Sequence, residues 1–443
     1  MQLEEIRKII ADRDVRTVII AGTDAAGVLR GKRLTVPYFF HAAEDGVSFA
    51  SFILGTTTMD EVLPGLFDTG IPDVNGVLDL STFRLAPWEP NTAIVLMDWV
   101  TATGEPHPLC PRSMLKKKVA EAAAMGYRES ASIELEFYLL PVPISEIRLG
   151  RWTAIEPGSK DIHCYSIFEG HFWEPVIGKL RDCFPEEIEG CLPEWGQGQF
   201  EVNLHHSDAL KMADTSIMLK LATKQLAAQA GAAATFMAKW REDLSGNSGH
   251  IHLSLRDAAT GDSVFYDSEK PLKLSDTFQN FVAGNLDVFG PSMLFYAPNV
   301  NSYKRLQSMT FAGTTRNWAV DNRTTGLRAI NQSPKKTRLE IRMGGADLNP
   351  YYAMSIGIGA GLRGIRLGLT PPPAASGNAY DDAVEKVPQT LAAAIALAKD
   401  DQAIREVLSP EVVDNALRIA NFELGVFQST VTDLERRRYM ETV

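Results

Sequence analysis

Residues 132–138 read SIELEFY and set two glutamates, Glu134 and Glu136, two apart inside an apolar run. Read as a strand, the stretch alternates, because successive side chains point to opposite faces. Ile133, Leu135 and Phe137 then share a face that helices can cover. The two carboxylates lie side by side on the other face, where like charges repel.

Three more segments place charged or imidazole groups with strand period. GHIHLSL (249–255) sets His250 and His252 two apart, with Ile251 and Leu253 opposite. KKTRLEIRM (335–343) alternates Arg338, Glu340 and Arg342 with Leu339 and Ile341. EWGQGQFEVNL (194–204) flanks a glycine-bearing turn with Glu194 and Glu201. A plain half-buried sheet would offer Ser, Thr or Lys at such positions. Carboxylates that converge at low dielectric need a counter-charge, since each costs several kcal/mol unpaired. An oxygen-rich donor set with one histidine suits Mg²⁺ or Mn²⁺ better than Zn²⁺. Arg323 and Arg328 in NRTTGLR (322–328), with Arg338, suggest a phosphate partner. Metal, phosphate and arginine together point to phosphoryl transfer.

The rest of the chain sets the frame. Its 443 residues are 45% hydrophobic, enough for a large core. A net charge of −11 argues against nucleic acid or acidic lipid as the main partner. The four cysteines, without CxxC spacing, read as reduced thiols of a cytoplasmic enzyme. MQLEEIRKIIADRD (1–14) reads as an amphipathic helix rather than a signal peptide, and no apolar run approaches the ~18 residues of a membrane span. Residues 1–105 look β-rich, with strands in RTVIIAGTD (16–24), GVLRGKRLTV (27–36) and TAIVLMDWV (92–100). The pattern turns helical at CPRSMLKKKVAEAAAMGY (110–127), so the expected domains are 1–105 and 106–443. Helices are expected over 211–239 and 349–368 among further strands, an α+β pattern. GAGLRG (359–364) fits a dinucleotide motif but lies inside a helical run, where small residues serve close packing.

The blocks SIELEFY, EWGQGQFE, GNSGHIHLSL, NSYKR, NRTTGLR, KKTRLEIR and NPYYA, in this order, resemble the glutamine synthetase family over nearly the whole chain. The resemblance implies a small N-terminal β-grasp domain and a larger catalytic domain with a curved antiparallel sheet backed by helices. It also implies a homo-oligomer, a six-membered ring or two stacked rings, with active sites shared between subunits. One metal would be held by Glu136, Glu194 and Glu201, the other by Glu134, His250 and Glu340. Arg305 and Arg342 would grip glutamate, with Asn247 at its amino-acid end. Arg323, Arg328 and Arg338 would meet the ATP phosphates, and His252, Ser254 and Lys335 would lie along the nucleotide. Arg323, Arg342 and Arg305 are the expected catalytic arginines. His205 and His206 fall outside the matched blocks and read as structural. Tyr380, in NAYDD (378–382), matches a place where some members are nucleotidylated, and reads first as a packed loop tyrosine.

The sequence departs from the family in the part that handles ammonium. Glutamine synthetases collect ammonium with an aspartate in the N-terminal domain and a glutamate in a flap. Here the matching positions are Ala50, in GVSFASFIL (46–54), and Phe311, in NSYKRLQSMTFAG (301–313). Both acids have become apolar. A small hydrated cation needs carboxylates to hold it, so the expected amine carries a carbon skeleton and is bulky or aromatic. The expected activity is ATP-dependent ligation of that amine to the γ-carboxyl of glutamate. Three alternatives stay open: a true glutamine synthetase that recruits Glu44, Asp45 or Asp60, a γ-glutamylpolyamine synthetase, and a silent structural homologue. Glu194 and Glu201 also stand one residue closer than in the common glutamine-forming enzymes.

Overall fold

The computed structural model describes every residue except 66, 69, 308, 309 and 382. Two of these fall in the stretch 301–313 and one in NAYDD, and they lie outside the described residues.

The N-terminal part is a mixed sheet of β1 (Thr17–Thr23), β2 (Leu29–Thr35), β3 (Val47–Ala50), β4 (Asp73–Leu78), β5 (Arg84–Leu85) and β6 (Thr92–Val100). Its order is β2-β1-β6-β4-β3, with β5 on β6. Strands β1 and β6 run parallel and the other pairs antiparallel, the β-grasp arrangement. The helix Leu3–Asp12 places Ile6 and Ile10 four apart on one face and buries both. The helix Val36–Asp45 buries Phe39 and Ala42. Strand alternation explains why the middles of β1 and β6 are apolar on both faces. Val18, Ile20, Ala93 and Val95 face this local core, while Ile19, Ala21, Ile94 and Leu96 belong to the large core of the rest of the chain.

The second sheet holds β7 (Tyr127–Leu140), β8 (Ile188–Pro193), β9 (Gln199–Leu204), β10 (Ala233–Thr235), β11 (Gly249–Asp257), β12 (Trp318–Val320), β13 (Leu327–Ile330) and β14 (Arg338–Ile341). Its order is β12-β13-β14-β11-β7-β9-β8, with β10 on β7. All these pairs are antiparallel except β12 with β13. Ile133, Leu135, Phe137 and Leu139 are fully buried in the large core. The helices Pro111–Ala124, Ala209–Gln229 and Pro350–Leu367 pack against this sheet.

One helix ends earlier than its composition suggests. Helix was expected to Lys239, but it stops at Gln229, and Gly231 turns the chain at φ +73°. Residues 233–235 then pair with β7, because that edge would otherwise leave backbone groups unmatched. GAGLRG lies within the helix Pro350–Leu367, as expected. A Cβ on Gly361 would sit 2.1 Å from the Phe281 ring, and one on Gly364 2.1 Å from the Asn280 carbonyl oxygen. The glycines let the helix Asp276–Asp287 approach closely.

A buried ionic knot joins the first sheet to the helices packed on the second. Arg112, at the start of the helix Pro111–Ala124, donates from Nε and Nη2 to both oxygens of Asp214 at 2.9 Å. Its Nη1 reaches Asp98 on β6 at 3.0 Å, and its Nη2 lies 2.9 Å from Asp79. Tyr351 donates its hydroxyl to Asp214 at 2.6 Å.

Candidate active site

Strand register builds the site's acidic face. Glu134 on β7 stands opposite His250 on β11 and Asn203 on β9, and Glu136 stands opposite Glu201. Glu340 on β14 stands opposite His252 on β11 and Arg328 on β13. Glu194 lies just past β8, where its N–H donates to the Gln199 carbonyl at 2.8 Å and closes the hairpin. That turn needs its glycines: Gly198 has φ +81°, and a Cβ on Gly196 would sit 1.9 Å from the Tyr138 hydroxyl. The shorter Glu194–Glu201 spacing therefore does not separate the two acids.

Two sets of side chains converge. Ligating atoms of Glu134, His250 and Glu340 lie within 4.8 Å of one another, and so do those of Glu136, Glu194 and Glu201. His250 Nδ1 is 3.6 Å from Glu134 and 3.7 Å from Glu340, and its Nε2 is buried without a hydrogen-bond partner. His252 Nε2 lies 3.2 Å from Glu134, while its Nδ1 accepts from Arg338 Nε at 3.2 Å. Glu136 accepts from the Ser248 N–H at 2.6 Å and from Gln199 Nε2 at 3.1 Å. Glu201 accepts from Asn203 Nδ2 at 2.7 Å.

The electrostatics of the two sets differ. Burial, then the charges of Glu134, Glu136 and Glu194, push Glu201 up to about 9. Burial and Glu136 push Glu194 up to about 7. Burial also works against Glu340, yet the charges of Arg342, His252 and His250 outweigh it and hold that carboxyl down at about 2. Glu134 is likewise held low by His250 and His252 against its burial. A crowded carboxylate triad with proton affinity this high, beside a buried imidazole nitrogen with no partner, fits a hard divalent cation in chemistry and in charge. Glu201 and Glu194 hold protons more tightly than free carboxylates, and a cation must displace them. Divalent affinity is therefore expected to rise with pH between about 6 and 9, with proton release on binding. Mn²⁺ titrations by calorimetry in buffers of different ionisation enthalpy check this. A pH-independent affinity without proton release would show that these carboxylates do not receive the ion.

Both sets line one cavity of about 840 Å³. Arg305, Arg323, Arg328 and Arg342 line it too. Arg328 donates to Glu340 Oε2 at 2.8 Å, and Arg342 pairs with the other oxygen. Arg342 Nη2 donates to the Phe311 carbonyl at 3.0 Å, and its Nε is buried without a partner. Arg305 donates to the carbonyls of Met343 and Arg342 at 3.0 and 3.2 Å, and burial pulls its pKa down to about 10.

Other expected residues sit elsewhere. Asn247 is fully buried and spends its amide on the Met237 carbonyl and on Gln199 Nε2, so it holds a loop rather than facing the cavity. Arg338 and Ser254 are half-buried and Lys335 is exposed, and none of the three lines the cavity. Ala50, at the end of β3, does not line the cavity of its own chain either. His205 and His206 are exposed and stack edge-on at 4.8 Å. Tyr380 is buried and donates to the Ala312 carbonyl at 3.3 Å, the packed-loop arrangement. Asp60 pairs with Arg30 at 2.7 Å.

Residues not singled out from sequence complete the mouth. Trp195, next to Glu194, meets the Phe311 ring edge-on at 6.2 Å. Each ring is about half exposed, at 53% and 52%. Ile162 and Tyr165 line the same cavity. Gln199 is 2% exposed and donates to Glu136, to Asn247 and to the Gly246 carbonyl, which locks the hairpin beneath the acids. Trp195 was visible as an aromatic beside a candidate ligand. Gln199, Ile162 and Tyr165 carry no such signal.

Comparison with known proteins places this architecture. Residues 108–439 match the model of the glutamine synthetase catalytic domain. The chain is 36% identical to a glutamate–isopropylamine ligase from Pseudomonas sp., over all of this chain and 98% of that protein. It is 33% identical to a gamma-glutamylethanolamide synthetase from Streptomyces coelicolor, over 99% and 96% of the two chains. Among solved structures, that titled apo GmaS without ligand superposes with a TM-score of 0.86 at 26% identity, over 98% of each chain.

Proposed function

Since the chain belongs to the glutamine synthetase family, we propose that it is an ATP-dependent ligase joining the γ-carboxyl of glutamate to an organic amine. The observation that carries the amine half is the aromatic mouth formed by Trp195 and Phe311 above the acids. The two rings favour a substituent on nitrogen over bare ammonium, within a lining that also holds Glu242 and Asp243. The relatives named for isopropylamine and ethanolamide formation support the same reading.

In the proposed reaction a γ-carboxylate oxygen of glutamate attacks the γ-phosphorus of ATP, and ADP leaves. The amine nitrogen then attacks the acyl carbon of γ-glutamyl phosphate, loses a proton and expels phosphate. Arg305 and Arg342 orient the glutamate carboxylates. Arg323 and Arg328 face the phosphates, where preorganised cations stabilise charge that spreads over the transferring group. Arg338 acts through His252, and His252, Ser254 and Lys335, which lie outside the cavity lining, would border the part of the nucleotide that extends beyond it. Glu136, Glu194 and Glu201 would hold one divalent ion, Mg²⁺ or Mn²⁺, and Glu134, His250 and Glu340 another. Those ions supply Lewis-acid neutralisation of the phosphate oxygens when bound.

The deciding experiment measures ATP turnover and γ-glutamyl product with ammonium and with a panel of alkyl, aryl and poly-amines. An enzyme using only ammonium would restore the glutamine synthetase reading, and no turnover with any amine would end the ligase reading. Trp195→Ala should lower kcat/KM for an aromatic amine by about 2–12-fold, the worth of one aromatic contact of about 0.5–1.5 kcal/mol. Phe311→Glu with Ala50→Asp should lower the ratio of kcat/KM for that amine to kcat/KM for ammonium. A carboxylate desolvated against an apolar group costs about 1–3 kcal/mol. An unmoved ratio would take these positions out of the amine pocket. We further propose a cytoplasmic hexameric ring, with two stacked rings the alternative, in which the partner subunit's Ala50 completes the mouth. An active monomer in sedimentation would contradict the shared site.

A further inference from the structure

A second cavity, of about 490 Å³, shares no lining residue with the acidic one. Three parts of the chain meet around it: the turn Ala25–Leu29 with Thr56–Thr58, the helix Ala209–Gln229, and the helix Pro410–Ser429. Its walls are largely apolar, with Phe236, Leu294, Phe295 and Ile419 among them. Two cations, Lys220 and Lys224, line it one helical turn apart. Like charges at this spacing repel.

Neither ammonium has a carboxylate within ion-pair distance among the described residues. Lys220 Nζ makes one hydrogen bond, to the Leu348 carbonyl at 3.2 Å, and stands 5.8 Å over the Phe236 ring. Lys224 is exposed and forms no hydrogen bond or ion pair among the described residues. Two carboxylates share the lining, Asp347 and Glu423. Asp347 Oδ2 accepts from Asn299 Nδ2 at 2.9 Å and Ser302 Oγ at 2.6 Å, while its Oδ1 is buried without a hydrogen-bond partner and its charge reaches Lys220 without forming an ion pair. Burial, then the charge of Glu61, raises the Glu423 carboxyl. Burial pulls Lys220 down to about 8, with Asp347 opposing and Lys224 adding to the fall. Burial lowers Lys224 as well. Lys220 thus loses part of its hydration for one neutral carbonyl, while the exposed Lys224 keeps its contact with solvent, and an anion in the cleft would give both a charged partner.

We propose that this cavity is a binding site for an organic carboxylate with an apolar body, its anionic head on Lys220 and Lys224 and its body against Phe236, Leu294 and Phe295. The volume falls in the range of small-molecule sites, roughly 300–1,000 Å³. An occupant touches the N-terminal turn and both helices at once, so binding should also tie these parts together and raise the melting temperature.

The site does not depend on the ligase reading: the calorimetry stands without it, and only the turnover control rests on it. The protein, saturated with glutamate, is titrated by calorimetry with 3-phenylpropionate. Acetate is the control for the head and 3-phenylpropanol for the body. Saturable binding at least tenfold tighter than either control is expected. Lys220→Met with Lys224→Met should weaken it at least tenfold, with γ-glutamyl amide turnover unchanged. Ala416→Phe narrows the cleft while keeping both lysines and should also abolish binding, which guards against misfolding of the double variant. Equal affinity in wild type and both variants, or no saturable binding because a second copy covers the cleft, overturns the proposal.

Discussion

Glu340→Ala is expected to lower kcat by about 100–1,000-fold or more, the effect of deleting a preorganised charge worth about 2.7–4 kcal/mol. Glu340 is 1% exposed and joins three functions in one carboxylate. It converges with Glu134 and His250, pairs with Arg342 through Oε1, and accepts from Arg328 through Oε2. Its removal leaves two guanidiniums at the cavity without their shared anion, so Arg342 and Arg328 should also lose their aim. Breaking a buried pair from one side costs about 3–5 kcal/mol, so the melting temperature should fall with activity. Glu340→Gln keeps the shape and separates the two effects. It should retain more stability than alanine while still losing turnover and Mn²⁺ affinity. Wild-type turnover in either variant at modest Mg²⁺ would remove Glu340 from the site.

Arg112→Met is expected to cost stability of about 3–5 kcal/mol, because it strips one buried cation from Asp214, Asp98 and Asp79 together. Arg112→Lys should rescue little, since an ammonium cannot repeat the two-pronged contact with Asp214. The pH dependence follows from Asp79. Burial raises this carboxyl, but its hydrogen bond from Ser81 and the charge of Arg112 hold it down at about 2. A depressed folded pKa contributes stability that is fully present above the unfolded value, about 3.9. That contribution fades as pH falls towards 2, and the variant should lose it. Thermal melts of both proteins between pH 2 and 7 test this. Equal melting temperatures throughout would show that the knot does not hold the first sheet to the helices packed on the second.

The sequence alone determined the alternation in SIELEFY, GHIHLSL and KKTRLEIRM, and with it which residues face the core and which face the site. Those assignments needed only the two-residue period of a strand, and Ile133, Leu135 and Phe137 are buried accordingly. The ordered motifs also identified the family, and therefore the curved sheet. Composition misled at 230–239, where alanines that favour a helix form β10 instead, because pairing with β7 outweighs local preference. Tertiary structure alone decided what stands beside what. It closed the hairpin that brings Glu194 to Glu201, turned Asn247 inwards onto Gln199, and set Trp195 against Phe311. It also left Lys220 and Lys224 in a cleft whose walls come from residues up to 398 apart in sequence, as from Ala25 to Glu423. Periodicity fixes the face a side chain takes along its own strand. Its neighbours, its burial and its proton affinity depend on which distant segments the chain brings across to it.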